Sequence, residues 1–297
     1  MTSYRDAVVA FIRRWYFSLP LATSVLALVV CILHVLAMVL PLDPPLFELV
    51  CLSPQKWLLH SESFTDGLIN SYRLFTYSFF HSGILPLLMN LVGFIPLGSL
   101  FERQVGTVQF VHLSVVMAAV NGVCYTLLMV PFMLIVPKWS EACFSGLSSL
   151  VMIYISLEAN RKSGVFQTRR WFGVPVPGAI YPWFLLIATQ IIFPQSAFFG
   201  NLSGILVGII YSLGYLNPLH FPFWVITWIE SLWIMSPLCS LESYVQLPGK
   251  IVLPTFYDDL DDLDELAAEP AAQPSWLQRA RTGFGLWPNQ PRYQSLG

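Results

Sequence analysis

Three polar side chains stand within apolar stretches of the sequence and could do chemistry together. They are His81 in "YRLFTYSFFHSGILPLLMN", Ser145 in "CFSGLSSL" and Asn201 in "GNLSGILVG". A serine hydroxyl attacks a carbonyl group only when a neighbouring side chain takes its proton. Asparagine accepts hydrogen bonds, but its neutral carboxamide has no group that titrates near physiological pH. The sequence therefore raises the question of why an amide stands at residue 201.

The chain is too apolar for an ordinary soluble domain. Hydrophobic residues make up 56% of its 297 residues and charged residues 11%, and its mean hydropathy is +0.64. Several apolar runs reach about 20 residues, the length of helix that crosses a hydrocarbon core of roughly 30 Å. They predict an all-α membrane protein, a bundle of six transmembrane helices at about 21–40, 75–100, 108–136, 144–157, 179–193 and 198–216.

Lysine and arginine in the loops predict the orientation of this bundle, because positive residues are retained on the cytosolic side. One side carries Arg5, Arg13, Arg14, Arg103, Arg161, Lys162, Arg169 and Arg170, and the other carries only Lys56, Arg73 and Lys138. We therefore expect both termini in the cytosol and the first span to be a retained anchor rather than a signal peptide. On this layout His81, Ser145 and Asn201 lie near the lumenal or exterior ends of their helices and can line one cavity.

Glycines predict which helices touch. Gly146, directly after Ser145, allows a backbone to approach closely. Gly204 and Gly208, four residues apart, give span six a smooth face for tight packing. We expect span four to pack on that face.

The spacing of polar residues in span two resembles the rhomboid superfamily of intramembrane serine proteases, and most of all its fungal rhomboid-type serine proteases of the Golgi. Arg73 lies eight residues before His81, and Asn90 lies nine residues after it. Glu102 and Gly106 match the family's Glu-x-x-x-Gly.

The resemblance extends to spans four and six and covers about 21–217. Residues 143–146, "CFSG", stand at the family's Gly-x-Ser-Gly, and residues 201–208, "NLSGILVG", stand at its His-x-x-Gly-x-x-x-Gly. The aromatic segment "FPFWVITWIESL" that follows the last span also resembles the fungal subgroup.

This resemblance implies a role for each matched residue. Ser145 takes the nucleophile position, Asn201 the position of the catalytic histidine, and His81 with Asn90 the positions that donate hydrogen bonds to the oxyanion. The resemblance implies structural roles for the other matched positions, which are Arg73, Glu102, Gly106, Gly146, Gly204 and Gly208. It also implies transmembrane segments as substrates or clients, a Golgi or endoplasmic reticulum membrane, and no cofactor or metal.

The sequence departs from the family pattern at four positions. Asn201 replaces the base, Cys143 the first glycine of the serine motif, Pro86 a second histidine of span two, and Ser149 the aromatic residue that stacks on the catalytic histidine. Losing the base costs a soluble serine protease on the order of a million-fold in turnover. We therefore predict a catalytically impaired rhomboid protein, a pseudoprotease. The alternative is an active protease that uses Ser145 with another base, and a transporter is less favoured because no span carries paired charges.

Several features also have simpler interpretations. Ser145 and Ser149 could bond to carbonyls of their own helix, and Glu102 with Arg103 could be a surface pair in a cytosolic loop. The five cysteines show neither metal spacing nor a paired framework and are predicted to be mostly buried thiols. Pro86 is expected mainly to kink its helix.

The chain divides by composition into four parts. We predict a cytosolic segment at 1–20, the rhomboid domain at 21–216, an interfacial aromatic and proline-rich segment at 217–256, and an acidic cytosolic tail at 257–297. The tail is expected to be a solvated linker, with a partner-binding helix as the alternative. A seventh span at 221–235 is a minor alternative that moves the C-terminus outside. We expect the lipid bilayer, and no nucleic acid, as a partner.

Overall fold

The computed structural model describes residues 19–40, 44–55, 57, 69–136, 142–160, 168–171, 174–192 and 198–246. The predictions for the N-terminal segment before residue 19 and for the acidic tail lie outside these residues.

The described chain is predominantly helical. Three of its helices are long and apolar enough to cross a membrane: α1 (Leu21–Val39), α4 (Ile84–Val105) and α5 (Thr107–Ile135). The helices α6 (Ser148–Asn160), α7 (Tyr181–Ile192) and α8 (Phe198–Ser212) are shorter. A bundle of helices with three candidate membrane spans among the described residues is thus observed, whereas the number of six spans stays a prediction.

The second predicted span begins later than the apolar run suggested. Residues before it form the short helices α2 (Leu46–Val50) and α3 (Arg73–Thr76) and a 3₁₀ turn at Tyr77–Phe79. The helix α4 begins only after Gly83. Pro86 lies in its first turn, where a helix needs no backbone N–H donor, so the expected kink at this proline has no structural cause. Pro96 is the proline in the interior of α4.

A short β-hairpin that the sequence did not predict accompanies the helices. The strands β1 (Thr168–Trp171) and β2 (Val174–Pro177) pair antiparallel, with Thr168 opposite Pro177. A 3₁₀ turn at Gly178–Ile180 connects them to α7. The hairpin lies between α6 and α7, in the loop that was predicted to be cytosolic.

Helix α6 is the centre of the bundle and packs against α8 through glycines. A Cβ atom at Gly204 would lie 2.6 Å from the carbonyl oxygen of Ser149, and one at Gly208 would lie 2.6 Å from Cβ of Ser156. The Ser156 hydroxyl also donates to the carbonyl of Ile205 at 3.1 Å. The predicted packing of span six on span four is confirmed.

The segment after α8 folds back along the end of the bundle where α4 meets α5. It contains a 3₁₀ turn at Asn217–Leu219 and the helices α9 (Phe223–Ser231) and α10 (Ser236–Cys239). The N–H of Thr107 donates to the carbonyl of Val245 at 2.9 Å, and the N–H of Leu21 donates to that of Ser243 at 2.7 Å.

Helix α9 is shorter than the seventh span that was the minor alternative at 221–235. Its nine residues cover roughly 14 Å at 1.5 Å per residue, about half of a hydrocarbon core. Its axis is bent by 94° from that of α8. The two exposed tryptophans Trp224 and Trp228 are typical of a helix in the interface, because indole rings favour the headgroup region.

Candidate functional site

The turn that carries Ser145 is held by hydrogen bonds from the backbone N–H groups of the next two residues, Gly146 and Leu147. Gly146 has φ +102°, a conformation that residues with a Cβ rarely adopt. Its N–H donates to the carbonyl of Tyr77 at 2.9 Å, and the N–H of Leu147 donates to Nε2 of His81 at 3.2 Å. The half-buried Ser145 therefore stands on a turn anchored to the segment that precedes α4.

His81 and Asn90 both lie against this turn. A Cβ atom at Gly146 would lie 3.3 Å from Nε2 of His81 and 3.4 Å from Nδ2 of Asn90. Because Nε2 of His81 accepts a hydrogen bond, the neutral ring carries its proton on Nδ1, which is buried and has no partner among the described residues. The structure thus brings Ser145, His81 and Asn90 together, with Nε2 occupied by a backbone donor.

Asn201 lies in the first turn of α8, beside the contact that joins this helix to the serine turn. Gly200 packs so closely on the ring of Phe144 that a Cβ there would fall 2.2 Å from it. Asn201 is 3% exposed, and its Oδ1 atom accepts no hydrogen bond from the described part of the chain. The Ser145 hydroxyl therefore does not donate to Oδ1 of Asn201. Ser145 and Asn201 are thus each next in sequence to a residue of the Phe144–Gly200 contact, but they do not form a hydrogen bond through Oδ1.

Ser149 is fully buried on α6, and its hydroxyl has no partner in the described residues. The expectation that it bonds to a carbonyl of its own helix is wrong. Its own carbonyl oxygen is the atom on which Gly204 packs, so its position relative to α8 is set by the backbone. Two polar atoms, Oγ of Ser149 and Oδ1 of Asn201, are therefore buried without a hydrogen-bond partner among the described residues.

A buried hydrogen-bond chain, which sequence reasoning missed, fixes α8 relative to α5 and to the 3₁₀ turn. The hydroxyl of Ser203 donates to Oδ1 of Asn121 at 2.9 Å, and Nδ2 of Asn121 donates to the Tyr77 hydroxyl at 2.9 Å. The Tyr77 hydroxyl in turn donates to the carbonyl of Ala118 at 2.9 Å. Polar residues at apolar positions were the available signal, because buried polar groups need partners.

The cysteine prediction is wrong for two of the five residues. Cys51 and Cys143, separated by 92 residues, form a disulfide with their Cα atoms 5.5 Å apart. Leu52 and Phe144 form an antiparallel bridge beside it. Cys31, Cys124 and Cys239 are free. Sequence reasoning missed this pairing because no local spacing relates the two cysteines.

Arg73 contacts the segment that is tied to the serine turn, whereas Glu102 and Gly106 lie at the other end of α4. The Nη1 atom of Arg73 donates to the carbonyls of Glu48 and Cys51, each at 3.0 Å. Glu102 is fully buried and accepts hydrogen bonds from α1, so its interpretation as half of a surface pair is wrong. Gly106, at φ +81°, joins α4 to α5.

A further buried histidine lies outside the serine turn. His34 of α1 is buried, and its two ring nitrogens are unpartnered in the described chain. No group of three or more His, Cys, Asp or Glu residues among those described is arranged to hold a metal ion.

Comparisons with known proteins agree on one family. Residues 70–218 match the sequence model of the Rhomboid domain. Rhomboid-like protein 15 of Arabidopsis thaliana is 30% identical over 244 residues, which cover 80% of this chain and 57% of that protein. Rhomboid-type serine protease 2 of Yarrowia lipolytica is 31% identical, covering 72% of this chain and 67% of that protein.

A further relative is Rhomboid-type serine protease 2 of Neurospora crassa, which is 31% identical over 62% of this chain and 64% of its own. The alignments with the Arabidopsis and Neurospora proteins span less than two thirds of those relatives.

Proposed function

Because the chain belongs to the rhomboid family, we propose that it recognises transmembrane segments and binds them without cleaving them efficiently. The observation that carries this proposal is the amide at the base position. Asn201 is buried, and its Oδ1 atom accepts no hydrogen bond from Ser145. A carboxamide cannot take up that proton near neutral pH, so the serine stays a weak nucleophile.

The alternative is an active protease that uses Ser145 with a base other than residue 201. It is favoured by the arrangement of Gly146, His81 and Asn90, which retains the groups at the oxyanion positions. Relatives named serine proteases are consistent with that alternative. His81 is a poor substitute base, because its Nε2 already accepts the N–H of Leu147.

The proposed cellular setting follows from charge and resemblance. We place the rhomboid domain at 21–216 in six spans, with both termini in the cytosol of a Golgi or endoplasmic reticulum membrane. The segment 217–256 lies along the interface, and the acidic tail at 257–297 is a linker that can meet a cytosolic partner. The Cys51–Cys143 disulfide supports a lumenal or exterior position for the serine turn, because disulfides persist in oxidising compartments.

A substitution at residue 201 tests the proposal. Asn201→His places an imidazole beside the serine turn, and a positioned general base contributes roughly 10²- to 10⁴-fold to a rate. We expect purified Asn201→His in liposomes to cleave a model transmembrane substrate at least tenfold faster than the unmodified chain. Asn201→Gln is the matched control, because it adds side-chain length without a titratable group.

Two further variants separate the proposal from its alternative. Any cleavage recovered in Asn201→His must disappear when Ser145→Ala is added. If the unmodified chain already cleaves the substrate and Asn201→Ala leaves the rate unchanged, the protein is an active protease and residue 201 is not its base position.

A further inference from the structure

Two distant segments of the chain are joined directly at the turn that carries Ser145. Beside the Cys51–Cys143 disulfide, the N–H of Leu52 donates to the carbonyl of Phe144 at 2.9 Å, and the N–H of Phe144 donates back to Leu52 at 2.8 Å. We call these three links the loop staple. The disulfide ends at Cys143, two residues before Ser145, and both hydrogen bonds end at Phe144, one residue before it.

The first half of the loop staple is itself fixed to the bundle. Cys51 is 1% exposed and Leu52 is fully buried. The carbonyl of Cys51 accepts a hydrogen bond from the guanidinium of Arg73, which is 6% exposed. Leu52 packs into the core cluster that contains Tyr77. The loop staple therefore ties the serine turn to a rigid anchor rather than to a free loop.

The second half of the loop staple fixes the side chain before Ser145. The ring of Phe144 lies 5.1 Å from that of Tyr77 and 4.8 Å from that of Tyr125, centroid to centroid. Its remaining side meets Gly200, the residue before Asn201. Any displacement of residues 143 and 144 therefore changes the position of Ser145 relative to Asn201.

We propose that Cys51 and Cys143 are positioning residues whose disulfide holds the Ser145 turn in place against α8. Cys143 stands where the serine motif of the family has glycine. Its covalent bond to Cys51 restricts the backbone at residue 143. The tether restricts the turn whether or not the site cleaves its clients.

The first test counts thiols in the full-length protein. Membranes are treated with a maleimide-linked polymer under denaturing conditions, with and without earlier reduction by a dithiol. We expect modification of three cysteines before reduction, namely Cys31, Cys124 and Cys239, and of all five afterwards. Five reactive thiols before reduction would overturn the proposal.

The second test distinguishes positioning of the turn from general stability. Hydrogen exchange is measured on the unmodified protein, on Cys51→Ser/Cys143→Ser and on the matched control Cys124→Ser/Cys239→Ser, which keeps the disulfide. We expect the amides of Gly146 and Leu147 to exchange at least tenfold faster in the first variant only, while those of α5 near Thr107 keep their rates. Exchange that rises equally throughout the bundle, or at neither place, contradicts the proposal.

If Cys51→Ser/Cys143→Ser does not fold, the same comparison is made on unmodified protein after mild reduction in detergent. The dithiol attacks the sulfur of Cys143, which is an exposed residue, and releases the Cys51 thiolate. It then closes its own disulfide, a two-electron exchange that leaves both cysteines reduced. Faster exchange confined to residues 144–148 supports the proposal, and unchanged or uniformly faster exchange overturns it.

Discussion

A single carboxylate, that of Glu102, joins three parts of the chain at the end of the bundle away from Ser145. Its two oxygens accept the N–H groups of Ala22 and Thr23 at 2.9 and 2.7 Å and the hydroxyls of Thr23 and Thr107 at 2.7 and 2.8 Å. The amides belong to the first turn of α1, where a negative charge is also favoured by the helix dipole. The Thr107 hydroxyl in turn accepts a hydrogen bond from the N–H of Val245, in the segment that follows α10.

We expect Glu102→Gln to destabilise the protein although it changes few atoms. In glutamine an NH₂ group replaces one carboxylate oxygen, so it faces groups that donate hydrogen bonds to that oxygen in the unmodified protein. A buried donor that is left unpaired costs about 1–3 kcal/mol. The thermal unfolding temperature in detergent should fall clearly. Glu242→Gln is the matched control, since that carboxylate is exposed, and an equal effect of both changes would contradict this account of Glu102.

At the scale of elements, the contact between α6 and α8 decides where residues 145 and 201 lie. Gly200, Gly204 and Gly208 form a continuous face of α8 that meets Phe144, the carbonyl of Ser149 and Cβ of Ser156. Small residues let two membrane helices approach closely, which is the main source of their attraction in lipid. The sequence identified the last two glycines but missed Gly200, because its partner precedes α6.

Gly204→Ala should separate these helices and destabilise the bundle. The new Cβ would fall 2.6 Å from a backbone oxygen, which cannot rotate away, and overpacking of this kind costs about 1–3 kcal/mol. A matched control is Gly83→Ala, because its nearest atom is 3.7 Å away and its φ of −171° suits any residue. Unfolding in detergent measures both variants, and equal stability of the two proteins would show that this contact is not close.

At the scale of the whole molecule, the two ends of the bundle differ in chemistry. The end with Ser145 carries the disulfide, whereas the other end carries Glu102, the residues of the β-hairpin and the segment that leads to the acidic tail. This division agrees with the distribution of lysine and arginine, from which we proposed a cytosolic position for the second end.

A protection experiment in sealed vesicles tests that orientation. A tag at the C-terminus should be digested by added protease, because the tail is expected in the cytosol. A tag inserted between Ser63 and Phe64, in the loop before the second span, should be protected until detergent is added. Protection of the C-terminal tag in intact vesicles would invert the proposed topology.

Local patterns accounted for the bundle and for most of the candidate site. Apolar runs predicted α1, α5 and α8 closely, and the spacing of His81, Asn90 and Ser145 indicated residues that the structure brings together. The start of α4 was predicted too early, because residues 75–83 are as apolar as a helix but form the end of α3, a 3₁₀ turn and an irregular stretch.

By itself the sequence indicated a membrane protein with most of its helices, and showed that residue 201 has no titratable side chain. These properties depend on composition and on the length of apolar runs, which are local, whereas the approach of His81 and Asn90 to Ser145 was expected from the resemblance to a family. Only the tertiary structure decided that Cys51 meets Cys143, that Glu102 binds the start of α1 and that Phe144 fills the space left by Gly200. Each of those contacts joins residues more than fifty positions apart, and their pairing is fixed by how the helices pack rather than by any neighbouring residues.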